Sequence, residues 1–381
     1  MDEDAIVVIG AGPAGVSAAL HLADAGARVL LIDDKADAGG AAFPALPDDE
    51  AAFLWPDRAY RGGALRQALR DRAERVAYWP RRRVEAIARG PSVTVRDLEN
   101  GAVATVPARA VIAATGATPI AATLPGAALA GVMGLHDPDL LVKTARERPG
   151  TRVVLAGVGP MLWFAAAQCA SARLSLAAVI DAAALPGPRH FAGFLRQPGK
   201  LAQGLGWMRA VWQSGAPIHR RHVVTSIAGD DRVRAIEFAS LDDAGRPAGA
   251  PRRRLETDLL AIGYGMRPAI AILAAAGIAV DRDPTSGLSR PRRDGDMETS
   301  LERVFVVGDA GDVAGLDAAL AEGAIVAEAV LRRTGRQVDA KLAAAAQEAR
   351  RQRRSLLAFL AALDDWAGPR AALTGADQRD R

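Results

Sequence analysis

Short apolar runs recur along the chain, bounded by a glycine or an acidic residue, and predict buried strands. Residues 5–9 and 28–32 are such runs, rich in β-branched side chains and too short for buried helices. Between them, residues 16–25 are rich in Ala and Leu and predict a helix that ends at Gly26, a residue type favoured just after a helix. A strand, a helix and a second strand in this order predict two parallel strands joined by a crossover helix, which is the unit of an α/β fold.

The same signals continue through the rest of the sequence. Residues 84–114 alternate between apolar and polar over short stretches, and Asn100-Gly101 favours a hairpin turn there. A second strand, glycine loop, helix and strand occupy residues 152–181. After a Pro- and Gly-rich region at 186–217, further strands are predicted before residue 258. They are followed by strands at 258–262 and 304–307, a helix at 317–331, and an Arg- and Ala-rich helix from beyond 334 to 364. The predicted fold class is α/β, with two Rossmann-like units and a helical C-terminal tail.

Composition limits the function before any motif is considered. The 48 basic and 44 acidic residues give a net charge of +4, too small an excess for a nucleic-acid footprint. With one cysteine, Cys169, and five histidines, the chain has no Cys/His cluster at metal-ligand spacing, so no metal site is expected. No apolar stretch reaches the length of a transmembrane helix, and Met1 is followed by Asp-Glu-Asp instead of the basic and long apolar segments typical of a signal peptide. A cytoplasmic protein without a transmembrane segment is expected.

The loop after the first strand has the spacing of a dinucleotide-phosphate loop. Its glycines, Gly10, Gly12 and Gly15, allow in turn a tight turn, close approach of a pyrophosphate, and close packing of the helix on the strand. Asp33 ends the second strand, where an acid can accept hydrogen bonds from a ribose. The predicted site also includes the loop residues Pro13 and Ala14 and the neighbouring Asp34.

Three further segments, far apart in the sequence, add to this pattern: Gly39-Gly40, Thr115-Gly116 after a strand, and Gly308-Asp309 after another strand. Over about residues 5–335, the chain resembles the two-dinucleotide-fold flavoproteins related to glutathione and thioredoxin reductases. The resemblance implies one FAD, with Asp309 at its ribityl chain and the N-terminus of the next helix facing the flavin. It also implies an FAD-binding domain at 1–120 and 255–335, an NAD-type domain, functional or degenerate, at 121–254, and the helical tail at 336–381.

Two departures narrow what this resemblance implies. A disulfide reductase of this group needs a cysteine pair beside the flavin. Cys169 is single, lies in a predicted helix and is expected to be a small residue of the protein core. The second loop has Gly157 and Gly159 but Leu162 at the third glycine position, which is expected to push its helix away from the strand. Binding of NAD(P) is therefore doubtful. Gly157, Gly159 and Asp181 form either a second nucleotide site or a structural remnant in which Asp181 is a cap or turn residue.

The pattern is most similar to the alpha-type flavoprotein subunits of opine oxidase, hydrogen cyanide synthase and D-hydroxyproline dehydrogenase. The match rests on Asp33-Asp34 with Gly39-Gly40, on residues 156–162, 165–168 and 263–268, and on residues 307–309. It implies an FAD-containing electron-transfer subunit of a heteromeric amino-acid or amine dehydrogenase. The implied partners are a small iron-sulfur protein and a second FAD-containing catalytic subunit, so any cluster would be on a partner chain. The C-terminal helix is expected either near a partner or packed on its own domain.

Two other functions stay open at this point. One is a self-sufficient NAD(P)H-dependent flavoprotein reductase of a ferredoxin-like acceptor, which Leu162 argues against. The other is a flavin-binding scaffold subunit. His136, His190, His219 and His222 lie in loop-like segments and form no recognisable catalytic arrangement, so the catalytic acid and base are not assigned.

Overall fold

The computed structural model describes residues 4–45, 56–120, 123–243, 245–248, 251–282 and 287–367. The chain forms two compact units, the first comprising residues 1–118, 267–283 and 288–357 and the second comprising residues 119–266, 284–287 and 358–381. The strands, in chain order, are β1 (Ile6–Ile9), β2 (Val29–Ile32), β3 (Val76–Trp79), β4 (Arg82–Ala88), β5 (Ser92–Asp97), β6 (Val103–Pro107), β7 (Ala110–Ala113), β8 (Ala117–Pro119), β9 (Val132–Gly134), β10 (Arg152–Gly157), β11 (Ser175–Asp181), β12 (Ile218–Arg220), β13 (His222–Ala228), β14 (Ala235–Ser240), β15 (Arg253–Glu256), β16 (Leu259–Gly263), β17 (Met266–Pro268), β18 (Val280–Arg282), β19 (Ser289–Pro291) and β20 (Val304–Val306). The helices are α1 (Pro13–Asp24), α2 (Pro56–Arg70), α3 (Pro138–Arg146), α4 (Pro160–Ser171), α5 (Pro188–Phe194), α6 (Pro198–Gln213), α7 (Ala271–Ala275), α8 (Leu316–Arg333) and α9 (Ala340–Ala367).

The first unit is built on a parallel sheet with the strand order β20-β7-β1-β2-β3. Its central strands are buried throughout, because helices cover one face and the antiparallel sheet β4-β5-β6 packs on the other. On the helical face, a Cβ atom on Gly323 of α8 would overlap Ser17 of α1, whose hydroxyl donates a hydrogen bond to the Leu320 carbonyl at 2.8 Å. Glycine at position 323 therefore lets the two helices pack closely.

The second unit has its own parallel sheet, with the order β12-β11-β10-β16-β9, and a three-stranded antiparallel sheet, β13-β14-β15. In both units a strand passes through a glycine loop into a helix and then into a parallel neighbour strand, as β1-α1-β2 and as β10-α4-β11. The α/β fold with two Rossmann-like units, predicted from the recurring apolar runs, is confirmed.

The units divide at positions that differ from the predicted boundaries. Because β16 pairs with β10, the second unit continues to residue 266 instead of ending at 254. The C-terminal helix α9 is not a separate tail over its first part, because Leu342 and Ala349 lie in the hydrophobic core of the first unit. Up to residue 357, this helix packs on its own unit.

Two helices occupy the Pro- and Gly-rich region at 186–217, where the sequence analysis predicted none. Both α5 and α6 begin with a proline, Pro188 and Pro198. At the first helical position proline loses no hydrogen bond, since that N–H has no partner within a helix. Among the helices that the structure describes, none is both long and apolar enough to cross a membrane.

Candidate functional site

The β1–α1 loop and the first turn of α1 together contain two glycines that the fold requires and one that faces open space. Gly10 has a φ of +100°, and a Cβ atom there would overlap the Ala114 carbonyl oxygen. A Cβ atom on Gly15 would overlap the Gly10 carbonyl oxygen. Gly12 has an ordinary φ of −72°, and nothing lies within 4 Å of the position that its Cβ would take. The loop is closed against the sheet but open at Gly12, where a phosphate could approach the backbone.

Helix α1 starts directly after Gly12, with Pro13 and Ala14 in its first turn. Among the residues that the structure describes, no side chain caps its N–H groups, and its first turn contains no acidic residue. The N-terminal amides and the positive end of the helix dipole are therefore available beside Gly12. This combination favours a negatively charged group.

Asp33 lies at the carboxyl end of β2, next to this loop. One of its carboxylate oxygens accepts a hydrogen bond from the Ala11 N–H, and the other accepts one from the Lys35 N–H at 2.8 Å. Burial raises the pKa of Asp33, although these two hydrogen bonds lower it. Each oxygen keeps a second lone pair, so Asp33 can also accept hydrogen bonds from ribose hydroxyls. Asp34 is exposed and lies 3.4 Å from Arg83 in a surface ion pair.

Gly39 and Gly40 bring a second backbone segment against the loop. The Gly39 N–H donates a hydrogen bond to the Ala11 carbonyl oxygen at 2.8 Å. Both glycines have positive φ, +136° and +61°, and a Cβ atom on Gly40 would lie 2.9 Å from the Gly12 Cα. Glycine at position 40 keeps the space beside Gly12 clear of a side chain, whereas a Cβ atom on Gly39 would overlap the Phe43 carbonyl oxygen.

Thr115 and Gly116 follow β7 at the same edge of the sheet. The Thr115 hydroxyl donates a hydrogen bond to the Ala269 carbonyl oxygen at 2.9 Å, and the Ala269 N–H donates one to the Gly116 carbonyl oxygen at 2.9 Å. Gly116 has a φ of +72°, which only glycine adopts without strain. These bonds fix the end of β7 to the segment at 267–283 of the same unit.

Gly308 and Asp309 form a tight turn after β20. Gly308 has a φ of +65°, and a Cβ atom on it would lie 2.7 Å from the Cβ of Ala14, so the turn lies at the start of α1. Asp309 Oδ1 accepts hydrogen bonds from the Ala314 and Gly315 N–H groups, both at 3.1 Å, immediately before α8. Its Oδ2 accepts none from the residues that the structure describes. Burial raises the pKa of Asp309.

A buried ion network that the sequence analysis did not predict supports this turn. Glu322 of α8 has 2% of its side chain exposed. It accepts hydrogen bonds from the Gly308 N–H at 2.8 Å, from both terminal nitrogens of Arg293 at 2.8 and 3.0 Å, and from Arg353 of α9 at 2.6 Å. Each carboxylate oxygen of Glu322 thus accepts two hydrogen bonds. The only sequence signal was an acid among the alanines of a helix, because its arginine partners are 29 and 31 residues away.

The glycine loop of the second unit has a different backbone shape. Its positive φ, +81°, is at Gly159, whereas Gly157 belongs to β10 and lies against the Gly263 carbonyl. Leu162, at the third position of the motif, is fully buried in α4. The second loop therefore does not repeat the conformation of the first, in which positive φ is at the first glycine.

Asp181, at the end of β11, is turned into the protein. Its side chain has no accessible surface, and its oxygens meet the Ala183 N–H at 3.0 Å and the Arg220 guanidinium at 3.3 Å. Arg220 in turn lies over the ring of Trp163, 5.0 Å from its centroid. Burial raises the pKa of Asp181 to about 6, against the lowering effects of Ala183 and Arg220. The two candidate ribose acids therefore differ, since Asp33 borders an open loop and Asp181 is enclosed.

Other reactive side chains do not form a recognisable catalytic group. Cys169 is buried in α4, and burial raises the pKa of its thiol to about 12. Within the described part of the chain, no three His, Cys, Asp or Glu side chains are grouped so that they could hold a metal ion. The rings of His219 and His222 pack around Phe238.

Comparisons with known proteins agree with the two-unit fold. The family model of the pyridine nucleotide-disulphide oxidoreductases matches residues 4–349. An opine oxidase subunit of Rhizobium meliloti (strain 1021) is 30% identical, over 97% of this chain and 80% of its own length. Hydrogen cyanide synthase subunit HcnB of Pseudomonas protegens is 26% identical, over 94% of this chain and 76% of its own length. The T. acidophilum thioredoxin reductase structure has the same fold, with a TM-score of 0.63 at 21% identity over 86% of this chain and 98% of its own.

These matches confirm the resemblance to opine oxidase and hydrogen cyanide synthase subunits that the motifs had indicated. The family takes part of its name from disulfide chemistry, yet this sequence has a single cysteine and so no redox-active pair of its own. What the comparisons show the chain to share with these proteins is the family and the fold. The chain is a flavin-dependent oxidoreductase and belongs to the pyridine nucleotide-disulphide oxidoreductase family.

Proposed function

We propose that the first unit binds one FAD along the carboxyl edge of its parallel sheet. Asp33 would hold the adenosine ribose, and the open backbone at Gly12 with the α1 N-terminus would hold the pyrophosphate. Asp309, with one carboxylate oxygen that no described group satisfies, would hold the ribityl chain. The residues present fit the cofactor, because glycines keep open the space that the dinucleotide would take.

The remaining residues of the proposed FAD site shape this cradle. Gly10 and Gly15 close the loop on the sheet, Gly39 and Gly40 bring their backbone beside Gly12, and Gly308 places the last turn against α1. The Thr115-Gly116 segment would line the flavin end, held by its bonds to Ala269. The N-terminus of α8 has no side-chain cap among the residues that the structure describes. Although Asp317 lies in its first turn, its amides would favour negative charge on the flavin. Bound FAD would supply two-electron acceptance and one-electron delivery.

The role that fits this chain best is electron transfer within a heteromeric amino-acid or amine dehydrogenase. The observation that carries this proposal is the enclosed Asp181, whose carboxylate faces Arg220 and the Ala183 amide instead of an open nucleotide loop. A pyridine nucleotide would find no exposed acid there for its ribose, so reduction from a partner subunit is favoured over reduction by NAD(P)H. The opine oxidase and hydrogen cyanide synthase relatives are both named as subunits, which supports a partnered enzyme.

The proposed partners are a second FAD-containing subunit that oxidises a C–N bond and a small iron-sulfur protein that takes up the electrons. In this arrangement the first unit is the FAD-binding domain and the second unit is a Rossmann-like domain that does not use a pyridine nucleotide. The single Cys169, buried and with a raised pKa, offers no alternative dithiol route for the electrons. A cytoplasmic location is proposed with this role.

Anaerobic mixing of the purified, flavin-loaded chain with NADH or NADPH tests the role. We expect slow or no bleaching of the absorbance of oxidised flavin at about 450 nm. Chemical reduction with dithionite, which does not depend on a nucleotide site, should bleach the same sample and serves as the control. Rapid, saturable bleaching at micromolar nucleotide would replace this role with that of a self-sufficient reductase of a ferredoxin-like acceptor.

A further inference from the structure

Two arginines of the C-terminal helix α9 have similar exposure but pair with different acidic residues. Arg353 donates to Glu322 at 2.6 Å and has 21% of its side chain exposed. Arg350, on the same helix, lies 2.9 Å from Asp296 and 2.7 Å from Glu328 and has 27% exposed. Only the Arg353 pair reaches the turn at Gly308, because Glu322 also accepts the Gly308 N–H.

Four donors saturate the Glu322 carboxylate, so its position depends on all of them. Arg293 approaches with two nitrogens and also donates to the Val306 carbonyl oxygen at 2.8 Å, which anchors it to the end of β20. Its guanidinium lies so close to Gly311 that a Cβ atom there would overlap it. Arg353 is the remaining cation, and it is the one that comes from outside the segment between β19 and α8.

We infer that Arg353 is a positioning residue for FAD, acting through Glu322 and the Gly308 amide on the turn that carries Asp309. This inference rests on the proposed FAD site. Gly308 has a left-handed φ and lies against Ala14, so its amide must keep one direction for the turn to stay at the start of α1. Removing Arg353 leaves Oε1 of Glu322 with a single donor and frees the carboxylate to move away from Gly308. The C-terminal helix therefore contributes to flavin binding, although it lies beyond all the glycine and acid motifs.

The charges of the network also support a role of Arg353 in FAD binding. Arg293 and Arg353 together exceed Glu322 by one positive charge, which offsets the negative charge of an ionised Asp309 on the turn. FAD brings a pyrophosphate, and offsetting that negative charge favours its binding. Asp309 also feels Glu322, which raises the pKa of Asp309 after the larger effect of burial. Without Arg353, the negative charge on Glu322 is balanced by Arg293 alone.

The test compares Arg353→Gln with Arg350→Gln, a matched control that breaks an ion pair on the same helix without touching Glu322. Flavin is removed from each purified protein, and FAD is titrated back while flavin fluorescence is followed. We expect the FAD dissociation constant of Arg353→Gln to rise by about tenfold or more, the scale of one lost charge-assisted hydrogen bond, and that of Arg350→Gln to stay within about twofold. Thermal unfolding of the two flavin-free variants should show similar losses of stability.

Arg353→Lys provides the second variant, because it keeps the charge and a donor. It should recover most of the FAD affinity, and it keeps the test available if Arg353→Gln does not fold. An equal loss of FAD affinity in the Arg353 and Arg350 variants would mean that the network only stabilises the fold, and it would overturn the inference. An unchanged FAD affinity in Arg353→Gln would overturn it too. Failure of the unsubstituted protein to bind FAD would instead overturn the proposed function.

Discussion

Gly12 and Gly15 should respond in opposite ways when a single methyl group is added to each. In Gly15→Ala the new Cβ overlaps the Gly10 carbonyl oxygen, which cannot rotate away because the Gly10 N–H is bonded to the Ile32 carbonyl oxygen at 2.7 Å. Overpacking of this kind costs about 1–3 kcal/mol or more, and with main chain on both sides we expect the upper end. In Gly12→Ala the Cβ enters open space at an ordinary φ of −72°. Lower entropy of the unfolded chain should then stabilise the protein by about 0.4–1 kcal/mol.

Urea unfolding of the flavin-free proteins measures both effects, and hydrogen exchange of peptides from β1 and α1 assigns them to the first unit. The two variants should differ by about 4 kcal/mol in the free energy of unfolding, taking the upper cost for Gly15→Ala and the upper gain for Gly12→Ala. The unsubstituted protein is the reference, and the second unit should exchange at the same rate in all three proteins. A stable Gly15→Ala protein, or equal losses in both variants, would refute the contact geometry of this loop.

Two further predictions concern the second unit. Because burial raises the pKa of Asp181 from 3.8 to about 6, the folded state binds this proton more tightly, so stability should fall by up to about 3 kcal/mol as pH rises from about 4 to about 6. Denaturation curves across this pH range should show that slope in the unsubstituted protein and lose it in Asp181→Asn; an unchanged slope would contradict the assignment. Burial also raises the pKa of Cys169 to about 12, so a thiol reagent at pH 8 should label it only as fast as the unit opens. Rapid labelling of the folded protein would show that Cys169 is accessible.

The sequence predicts where several buried strands end, because a glycine comes soon after them. Gly10 comes directly after β1 and Gly308 comes two residues after the end of β20, and both have the positive φ that explains why glycine is there. The parallel sheet then brings motifs nearly 300 residues apart to one edge, as the contact between Gly308 and Ala14 shows. Local spacing and fold topology were sufficient for these features.

What the sequence did not predict depends on contacts between distant side chains or on the position of a residue within an element. Glu322 has its arginine partners 29 and 31 residues away, and no periodicity connects them. Pro188 and Pro198 begin helices in a region where no helix was predicted, since proline is favourable at the first helical position. The enclosure of Asp181 depends on Arg220 from another strand, so its motif position alone could not show which way it faces.

Flavin content measured in the purified protein and in Gly12→Val tests FAD binding at the first loop most directly. A valine fits the extended backbone at this position, where nothing lies within 4 Å of the Cβ, so the variant should fold with an unchanged circular dichroism spectrum. Its side chain would fill the space proposed for the pyrophosphate. We expect about one FAD per chain in the unsubstituted protein and almost none in Gly12→Val, as for a single dinucleotide site. A colourless unsubstituted protein, or full FAD occupancy in a folded Gly12→Val protein, would contradict this assignment.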